Sequence, residues 1–429
     1  MDGGNDYALV SQGKADVRLR DDRALELELR RDVPRERRET TTKRAREREL
    51  PRWLPALTAG LGLLGAAYLV EGFVHLVHGP MPQDLARRWV QNMYLLRHIA
   101  AADVAAGVIP PAADLGPSDP GGYPPWSVAV GFLMAPPVAP HWVQAYFSVQ
   151  NLLALLAIGR FAYVAGARFG RTGARFLCAS ALAISTHAVV LRNGQYGLIV
   201  NGGLVALVAA EYAQRSRTSG LALAIAALKP QSAAPFALLL FRRASWRGLV
   251  VAALTLGLGT ACVALWLERN PIALLVLAFR ESAGWVPCDS GLLRLLLELG
   301  APQRWAVPLL AVTAVAIGSA VLWRHRAQSI LIKGAILAVV ARLWTYHRRY
   351  DDVLLVFFLV PLGVHALKRR TASAWLGFFA VGLTLWLPLR QEDTGSGLIA
   401  LKIAVWLAAL WQLLAQRDEP ALTAGNSAR

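Results

Sequence analysis

Asp84 is the acidic residue whose neighbours best suit it to act as a general base. It begins a segment in which apolar residues recur at near-helical spacing, while Asp84, Arg87 and Arg88 share the polar side. This pattern predicts an amphipathic helix on a membrane surface. A carboxylate facing a polar acceptor there can take a proton from a hydroxyl group, and the two arginines can bind an anion. The structural alternative is a helix N-cap after the proline at 82.

Lys229 is a single cation within an apolar tract, residues 219–241. A lone cation at membrane depth costs at least about 2.5–3.5 kcal/mol unless it is paired or hydrated. Pro230 divides the tract into halves that each span about 15–18 Å, half of a bilayer. We therefore predict a helical hairpin with its tip inside the membrane. There Lys229 either binds an anionic partner, such as a lipid phosphate, or extends to water as a snorkelling side chain.

A third polar segment, Trp344–Asp352, combines aromatic, basic and acidic residues. His347 and Asp351 are four residues apart and would share a helix face, a spacing that permits a metal pair. Such pairs are common by chance, so no metal or other cofactor is expected. Arg348 and Arg349 suit phosphate recognition through their fork geometry. An interfacial belt of aromatic residues and arginines is the structural alternative.

Two shorter segments add polar groups that could contact a substrate. Asn193 and Gln195 flank a glycine in a turn between apolar tracts, and their amides could bind sugar hydroxyls or a phosphate. A simple polar turn explains the same residues. Tyr123 precedes two prolines at the start of a helix, where an aromatic residue also fits a membrane interface.

The elements that must position these residues follow from the composition. The chain has 429 residues, of which 55% are hydrophobic and 17% charged, whereas soluble domains carry about 25% charged residues. Tracts such as 248–267 have no charge over the length of one bilayer crossing. The sequence therefore predicts an all-α polytopic membrane protein with about 10–12 transmembrane or re-entrant helices. The apolar tracts are 53–78, 123–139, 142–165, 174–191, 195–213, 219–241, 248–267, 305–323, 329–345, 352–367, 373–389 and 397–415.

Charge distribution predicts the domains and the orientation. Residues 1–52 are highly charged and lack a core, so we expect a mostly disordered cytoplasmic tail before a transmembrane domain over 53–416 and a short tail over 417–429. Arginine clusters between the tracts place those loops in the cytoplasm, and the polar loops 79–122 and 268–304 outside. The net charge of +17 is spread over these loops, which argues against nucleic-acid binding. The excess of arginine over lysine suggests a GC-rich bacterial coding sequence, and the expected location is the bacterial plasma (inner) membrane.

Taken in order, five motifs resemble glycosyltransferase family 87, whose members are membrane enzymes of the GT-C superfamily. The matching residues are Asp84-Leu85, Tyr123-Pro124-Pro125, Asn193-Gly194-Gln195, Lys229-Pro230 and Trp344–His347. The resemblance spans roughly residues 55–415. It departs from the family after Tyr346, where many members have a second histidine, and in the charged N-terminal tail.

The resemblance implies a GT-C-type bundle whose long first external loop carries amphipathic helices, with Asp84 as the catalytic residue. It also implies a polyprenyl-phosphate sugar as donor, with mannose as the expected sugar. That sugar would be transferred to a lipid or glycan acceptor outside the membrane. Lys229 and His347 are then the candidates for binding the donor phosphate. Independently, nucleotide sugars do not cross the bilayer, so an enzyme acting outside needs a lipid-carried sugar. The alternative function is a transporter or flippase of a lipid-linked or anionic substrate, which broken helices and a buried lysine also fit.

Overall fold

The computed structural model describes residues 50–95, 123–242, 244–283, 291–388 and 395–415. Within these ranges the regular secondary structure is helical, without a β-strand. Most of the predicted N-terminal tail 1–52, the tail 417–429 and residues 96–122 of the first loop lie outside the described residues. From Pro55 onward the described helices form one compact unit.

The helices occur in the following order. The first eight α-helices are α1 (Leu54–His78), α2 (Gln83–Leu95), α3 (Pro125–Met134), α4 (Pro140–Ala167), α5 (Gly170–Leu182), α6 (Thr186–Asn193), α7 (Gly197–Tyr212) and α8 (Ser216–Ala226). The others are α9 (Pro230–Ala233), α10 (Trp246–Trp266), α11 (Pro271–Ala283), α12 (Leu292–Glu298), α13 (Gln303–Arg324), α14 (Ile330–Leu343), α15 (Val356–Arg369), α16 (Ala372–Trp386) and α17 (Ser396–Ala415). There are also two 3₁₀ helices. Ala234–Leu240 directly follows α9, and Arg349–Leu355 directly precedes α15.

Length and composition identify the helices that can cross a bilayer. Six described segments qualify, or seven if the bent pair α5 and α6 forms one span. The six are Leu54–Val90, Pro140–Ala167, Trp246–Trp266, Gln303–Arg324, Arg349–Arg369 and Ser396–Ala415. Large apolar side chains on these helices point outward, as Leu254, Val312 and Trp411 do, each at least two-thirds exposed. Such surfaces suit lipid contact. The protein is an all-α polytopic membrane protein, as predicted.

The segment Arg349–Arg369 is the centre of the bundle. Its apolar window is 94% buried by the rest of the protein, compared with 17–39% for the other candidate spans. Helix α15 packs against α4, α5, α14, α16 and α17. The two aspartates at the start of this segment are therefore brought into the protein interior.

Three of the predicted apolar tracts fold differently from a straight span. Helix α3, in tract 123–139, has only 10 residues, about 15 Å, compared with the 28 residues of α4. Tract 174–191 bends by 47° between α5 and α6. Tract 219–241 is broken at Lys229, as predicted, but its second half is mainly 3₁₀ rather than α-helical.

Two predictions about the polar loops need correction. Residues 268–304 are not merely a polar interruption, because they contain helix α11, whose first ten residues are apolar, and helix α12. Helix α2 is amphipathic as predicted, but its polar side does not simply face water: Arg88 is only 7% exposed. Asn92 of the same helix donates hydrogen bonds to the carbonyls of Gly131 and Ala135, at 3.1 and 2.7 Å. The helix therefore packs into the protein, against α3 and α6.

Candidate functional site

Asp84 and Gln195 meet where helix α2 begins. Helix α6 ends at Asn193, and Gly194 follows in the left-handed conformation with φ of 66°, which turns the chain back towards α7. Gln195 is buried, and its amide nitrogen donates a hydrogen bond to the Asp84 carboxylate. Its amide oxygen accepts a hydrogen bond from the Tyr123 hydroxyl at 3.2 Å. Gln195 thus joins three of the segments singled out in the sequence.

Gly194 permits this contact for two reasons. Its positive φ favours glycine, and a β-carbon at this position would lie 2.7 Å from Cβ of Leu85 and 2.9 Å from Cβ of Pro82. The turn therefore approaches α2 more closely than any other residue type allows.

We expect Gly194→Ala to destabilise the protein by about 1–2 kcal/mol from the backbone alone, and further through this overlap. Displacing the turn should also separate Gln195 from Asp84 and lower activity. Gly170→Ala is the matched control, because Gly170 has φ of 78° but nothing within 4 Å of an added β-carbon. Thermal midpoints of the two variants in detergent provide the measurement, and equal losses would contradict the close approach.

Arg88 lies between two tyrosine rings beside Asp84. Its guanidinium carbon is 3.8 Å from the centre of the Tyr123 ring and 5.9 Å from that of Tyr196. The two rings meet edge to face, with centres 6.2 Å apart. Stacking of this kind fixes the plane of an arginine and directs its donors.

Lys229 is buried at the break between α8 and α9. Its ammonium nitrogen lies 2.9 Å from Oδ1 of Asp351, and both side chains are almost fully enclosed. The ammonium group also lies 4.4 Å from the centre of the Tyr350 ring. The sequence-based hypothesis of an anionic partner therefore has an internal candidate in Asp351, and a substrate phosphate as partner remains a prediction.

Tryptophans satisfy the backbone at this break. The indole of Trp126 donates to the Ala227 carbonyl at 2.8 Å, and that of Trp344 donates to the Gln231 carbonyl at 2.6 Å. Backbone groups freed by a break at membrane depth need such partners. The two indoles thereby hold the turn at Lys229 between two helices.

Asp351 is held from a second direction. Its Oδ2 accepts a hydrogen bond from the backbone N–H of Arg348 at 3.0 Å and lies 3.3 Å from Nδ1 of His347. The predicted pairing of His347 with Asp351 is thus present, but the reason given for it is wrong. Residues 344–348 are not helical, so the contact arises from a turn before the 3₁₀ helix rather than from one helix face.

The two groups of residues lie near each other. Lys229 interacts electrostatically with Asp84 and Tyr123, and Tyr350 interacts with Tyr123. The predicted residues that the structure brings together are Asp84, Arg88, Tyr123, Gln195, Lys229 and His347. We call this set, with Asp351 and Tyr350, the carboxylate–lysine site.

Other predicted residues lie at its margin. Asn193 and Arg87 are half-buried, and Arg348 donates from Nε to the Tyr346 hydroxyl at 2.6 Å. Arg349 donates to the carbonyl of Leu387, at the end of α16, at 3.4 Å. The predicted role of both arginines in phosphate binding remains a prediction.

The alternative structural role of Asp84 also needs correction. Helix α2 begins at Gln83, which makes Asp84 its second residue rather than its N-cap. A carboxylate there still interacts favourably with the helix dipole, by about 0.3–1 kcal/mol. Within the described residues, no group of three or more His, Cys, Asp or Glu side chains is arranged to hold a metal ion.

A second buried charge cluster was not predicted. Asp352 accepts a hydrogen bond from Nε of Arg342 at 2.7 Å and one from the Lys402 ammonium group at 2.8 Å. The ring of Trp406 lies 5.6 Å from the arginine and 5.5 Å from the lysine. Arg342 and Lys402 are charges inside apolar tracts, and that alone could have identified them as intramembrane ionisable residues.

Comparison of this chain with protein-family models, with curated proteins and with solved structures found no match.

Proposed function

We propose that the protein is an integral-membrane glycosyltransferase that moves a sugar, with mannose as the expected one, from a polyprenyl-phosphate donor to a lipid or glycan acceptor. The observation that carries this proposal is the carboxylate–lysine site. There the Asp84 carboxylate, oriented by Gln195, lies beside Arg88 and within electrostatic range of Lys229. A base and cations for a departing phosphate thus occur together inside a membrane protein.

The proposed reaction uses these groups in complementary ways. Asp84 takes the proton of the acceptor hydroxyl as its oxygen forms a bond to the anomeric carbon of the sugar. The bond from that carbon to the donor phosphate breaks, and the phosphate leaves with the electron pair. Arg88 and Lys229 stabilise the negative charge that develops on the phosphate. Asp351 retains its contacts with His347 and the Arg348 amide while Lys229 turns towards the donor.

The role of Lys229 can be separated from that of its ion pair. Removing Lys229 alone leaves Asp351 buried and unpaired, a loss of about 3–5 kcal/mol, whereas removing both charges is often tolerated. We therefore expect Lys229→Met with Asp351→Asn to fold, yet to raise the donor KM by about 10- to 150-fold, because a charged hydrogen bond contributes about 1.5–3 kcal/mol. The measurement is the initial rate of transfer against the concentration of polyprenyl-phosphate mannose.

The control removes a surface ion pair that likewise joins a basic side chain to a carboxylate. Arg294 and Glu298 are 2.9 Å apart and partly exposed, so Arg294→Met with Glu298→Gln should leave the donor KM unchanged. An unchanged KM in the buried double variant would mean that the Lys229–Asp351 pair serves only the fold.

The orientation is a separate prediction. The positive-inside rule places residues 215–217 in the cytoplasm and 268–304 outside. Thr218, which directly follows the first region, and Asn270, which lies in the second, are both exposed. In a cysteine-free background, a thiol reagent that cannot cross the membrane should label Asn270→Cys on intact cells and leave Thr218→Cys unlabelled. The reverse pattern would exclude an external active site.

A transporter or flippase is the second candidate, favoured by the buried Lys229–Asp351 pair at a broken helix. The two functions differ in their products. A transferase yields a sugar covalently joined to the acceptor in detergent solution, without any membrane compartment. A transporter leaves the sugar on its carrier and requires two sides. Retention of the sugar on its carrier, with no glycosylated acceptor, would therefore contradict the transferase.

A further inference from the structure

A second cavity lies at the opposite end of α7 and α8 from the carboxylate–lysine site. Its volume is about 510 Å³. The residues that line it are Gln214, Arg215, Ser216, Arg217, Thr218, Ala244, Trp246 and Arg247. We call it the arginine pocket. Helix α7 has 16 residues, about 24 Å, between the Gln195 turn and this end, so the two sites are separate.

The charge of the arginine pocket is uniform. Of the described residues that line it, three are arginines and none is acidic. The guanidinium group binds phosphate oxygens through paired hydrogen bonds. A pocket lined in this way therefore suits a phosphate group.

The positions of two of these arginines also favour the binding of an anion. Arg217 is the second residue of α8, and Arg247 is the second residue of α10. The dipole of a helix disfavours a cation in its first turn and favours an anion there. Two first-turn arginines beside one cavity thus form an arrangement that is unfavourable when empty and becomes favourable when an anion lies between them.

The pocket is built on a rigid base. The backbones of α8 and α10 touch at Gly220 and Gly248, where a β-carbon on Gly220 would overlap the Gly248 carbonyl. Ser245, which is buried just before α10, donates a hydrogen bond to the Glu211 carboxylate at 2.8 Å. Gln214 adopts a positive φ of 55° and donates to the Glu211 carbonyl at 2.9 Å. These contacts fix the two helix N-termini relative to each other before any ligand arrives.

We propose that the arginine pocket binds the phosphate headgroup of an anionic membrane lipid. The volume of the pocket falls within the range of 300–1,000 Å³ that is typical of small-molecule sites. Trp246 lines it and is 55% exposed, as befits a residue at the level of lipid headgroups. Basic pockets between transmembrane helices commonly bind such headgroups. A soluble phosphate compound shares this chemistry, and the experiment below distinguishes the two sources. The inference does not depend on the glycosyltransferase proposal.

The test compares lipids and a soluble anion on the purified full-length protein. Phosphatidylglycerol, phosphatidylcholine and inorganic pyrophosphate are each titrated in a neutral detergent, and binding is followed by the thermal midpoint and by native mass spectrometry. We expect phosphatidylglycerol to bind and raise the midpoint, and phosphatidylcholine to do neither. Arg217→Gln with Arg247→Gln should weaken phosphatidylglycerol binding by about 30-fold, since each basic residue near an anionic headgroup contributes about 1 kcal/mol.

The matched control is Arg324→Gln with Arg326→Gln, which removes two exposed arginines of another cluster and should leave binding unchanged. An arginine-dependent response to pyrophosphate and none to phosphatidylglycerol would overturn the lipid as occupant. Undiminished phosphatidylglycerol binding in the Arg217/Arg247 variant would overturn the site itself. A double variant that does not fold is replaced by each single variant, for which about a fivefold weakening is expected on the same basis.

Discussion

Asp84→Asn should insert and fold like the wild-type protein and transfer sugar about 10²–10⁴-fold more slowly, the usual contribution of a general base. Asparagine keeps the size of the side chain and an oxygen that can accept the hydrogen bond from Gln195. It loses only the negative charge and the ability to take a proton. The stability cost is limited to the interaction with the dipole of α2, about 0.3–1 kcal/mol. Transfer rates and thermal midpoints of the same preparations check both parts.

Glu298→Gln is the matched control, because it neutralises a carboxylate on an exposed helical surface without a role in the proposed reaction. Its transfer rate should equal that of the wild type. An active Asp84→Asn protein would refute Asp84 as the base, and Asp351 would become the next carboxylate to examine.

Asp352→Asn should destabilise the protein by about 3–5 kcal/mol, the same loss as is expected when Lys229 alone is removed. The substitution leaves the positive charges of Arg342 and Lys402 buried without the carboxylate that they share. Arg342, Asp352 and Lys402 form a trio of two cations and one anion. The face of Trp406 lies near both cations. That ring offsets part of the excess charge but cannot replace the carboxylate.

The same trio predicts an order of effects. Lys402→Met leaves the Arg342–Asp352 pair neutral and hydrogen-bonded, so it should cost clearly less than Asp352→Asn. Unfolding of both variants in a graded series of sodium dodecyl sulfate concentrations measures the two losses. If Lys402→Met proved the more damaging, the excess charge of the trio would not govern its stability.

Most of the helices could be predicted because apolar length and charge mark a membrane span directly. The tract 248–267 became α10 (Trp246–Trp266), with boundaries within two residues. The break at Lys229 was also predictable, since the residue before a proline is disfavoured in the helical conformation. The bend between α5 and α6 was not, because Ala183-Ile184-Ser185 contains neither glycine nor proline. There Ser185 donates to the carbonyls of Leu385 and Leu387, some 200 residues away, and no local pattern reports such a contact.

In the candidate site too, local sequence patterns identified single residues but not the contacts between residues that are far apart in the chain. Asp84, Gln195 and Lys229 were identified because each is a polar interruption with an evident local cause. Their association across more than 100 residues does not follow from any of these local patterns. The pairing of Lys229 with Asp351 depends on how the 3₁₀ helix Arg349–Leu355 enters the core, and the two adjacent aspartates gave no sign of serving different cations.

The separation of Lys229 from Asp351 along the chain has a consequence for how the protein is made. The two residues are 122 positions apart, and a ribosome that adds about 5–20 residues per second needs roughly 6–24 s to synthesise the interval. During that time α8 and the broken segment must leave the translocon, or wait within it, with an unneutralised ammonium group. By contrast, Arg342 and Asp352 are only 10 residues apart, so the carboxylate is synthesised soon after the arginine. The Lys229–Asp351 ion pair can therefore form only after the ribosome has passed the 3₁₀ helix that begins at Arg349, and we expect integration of the Lys229 segment to be completed after that point.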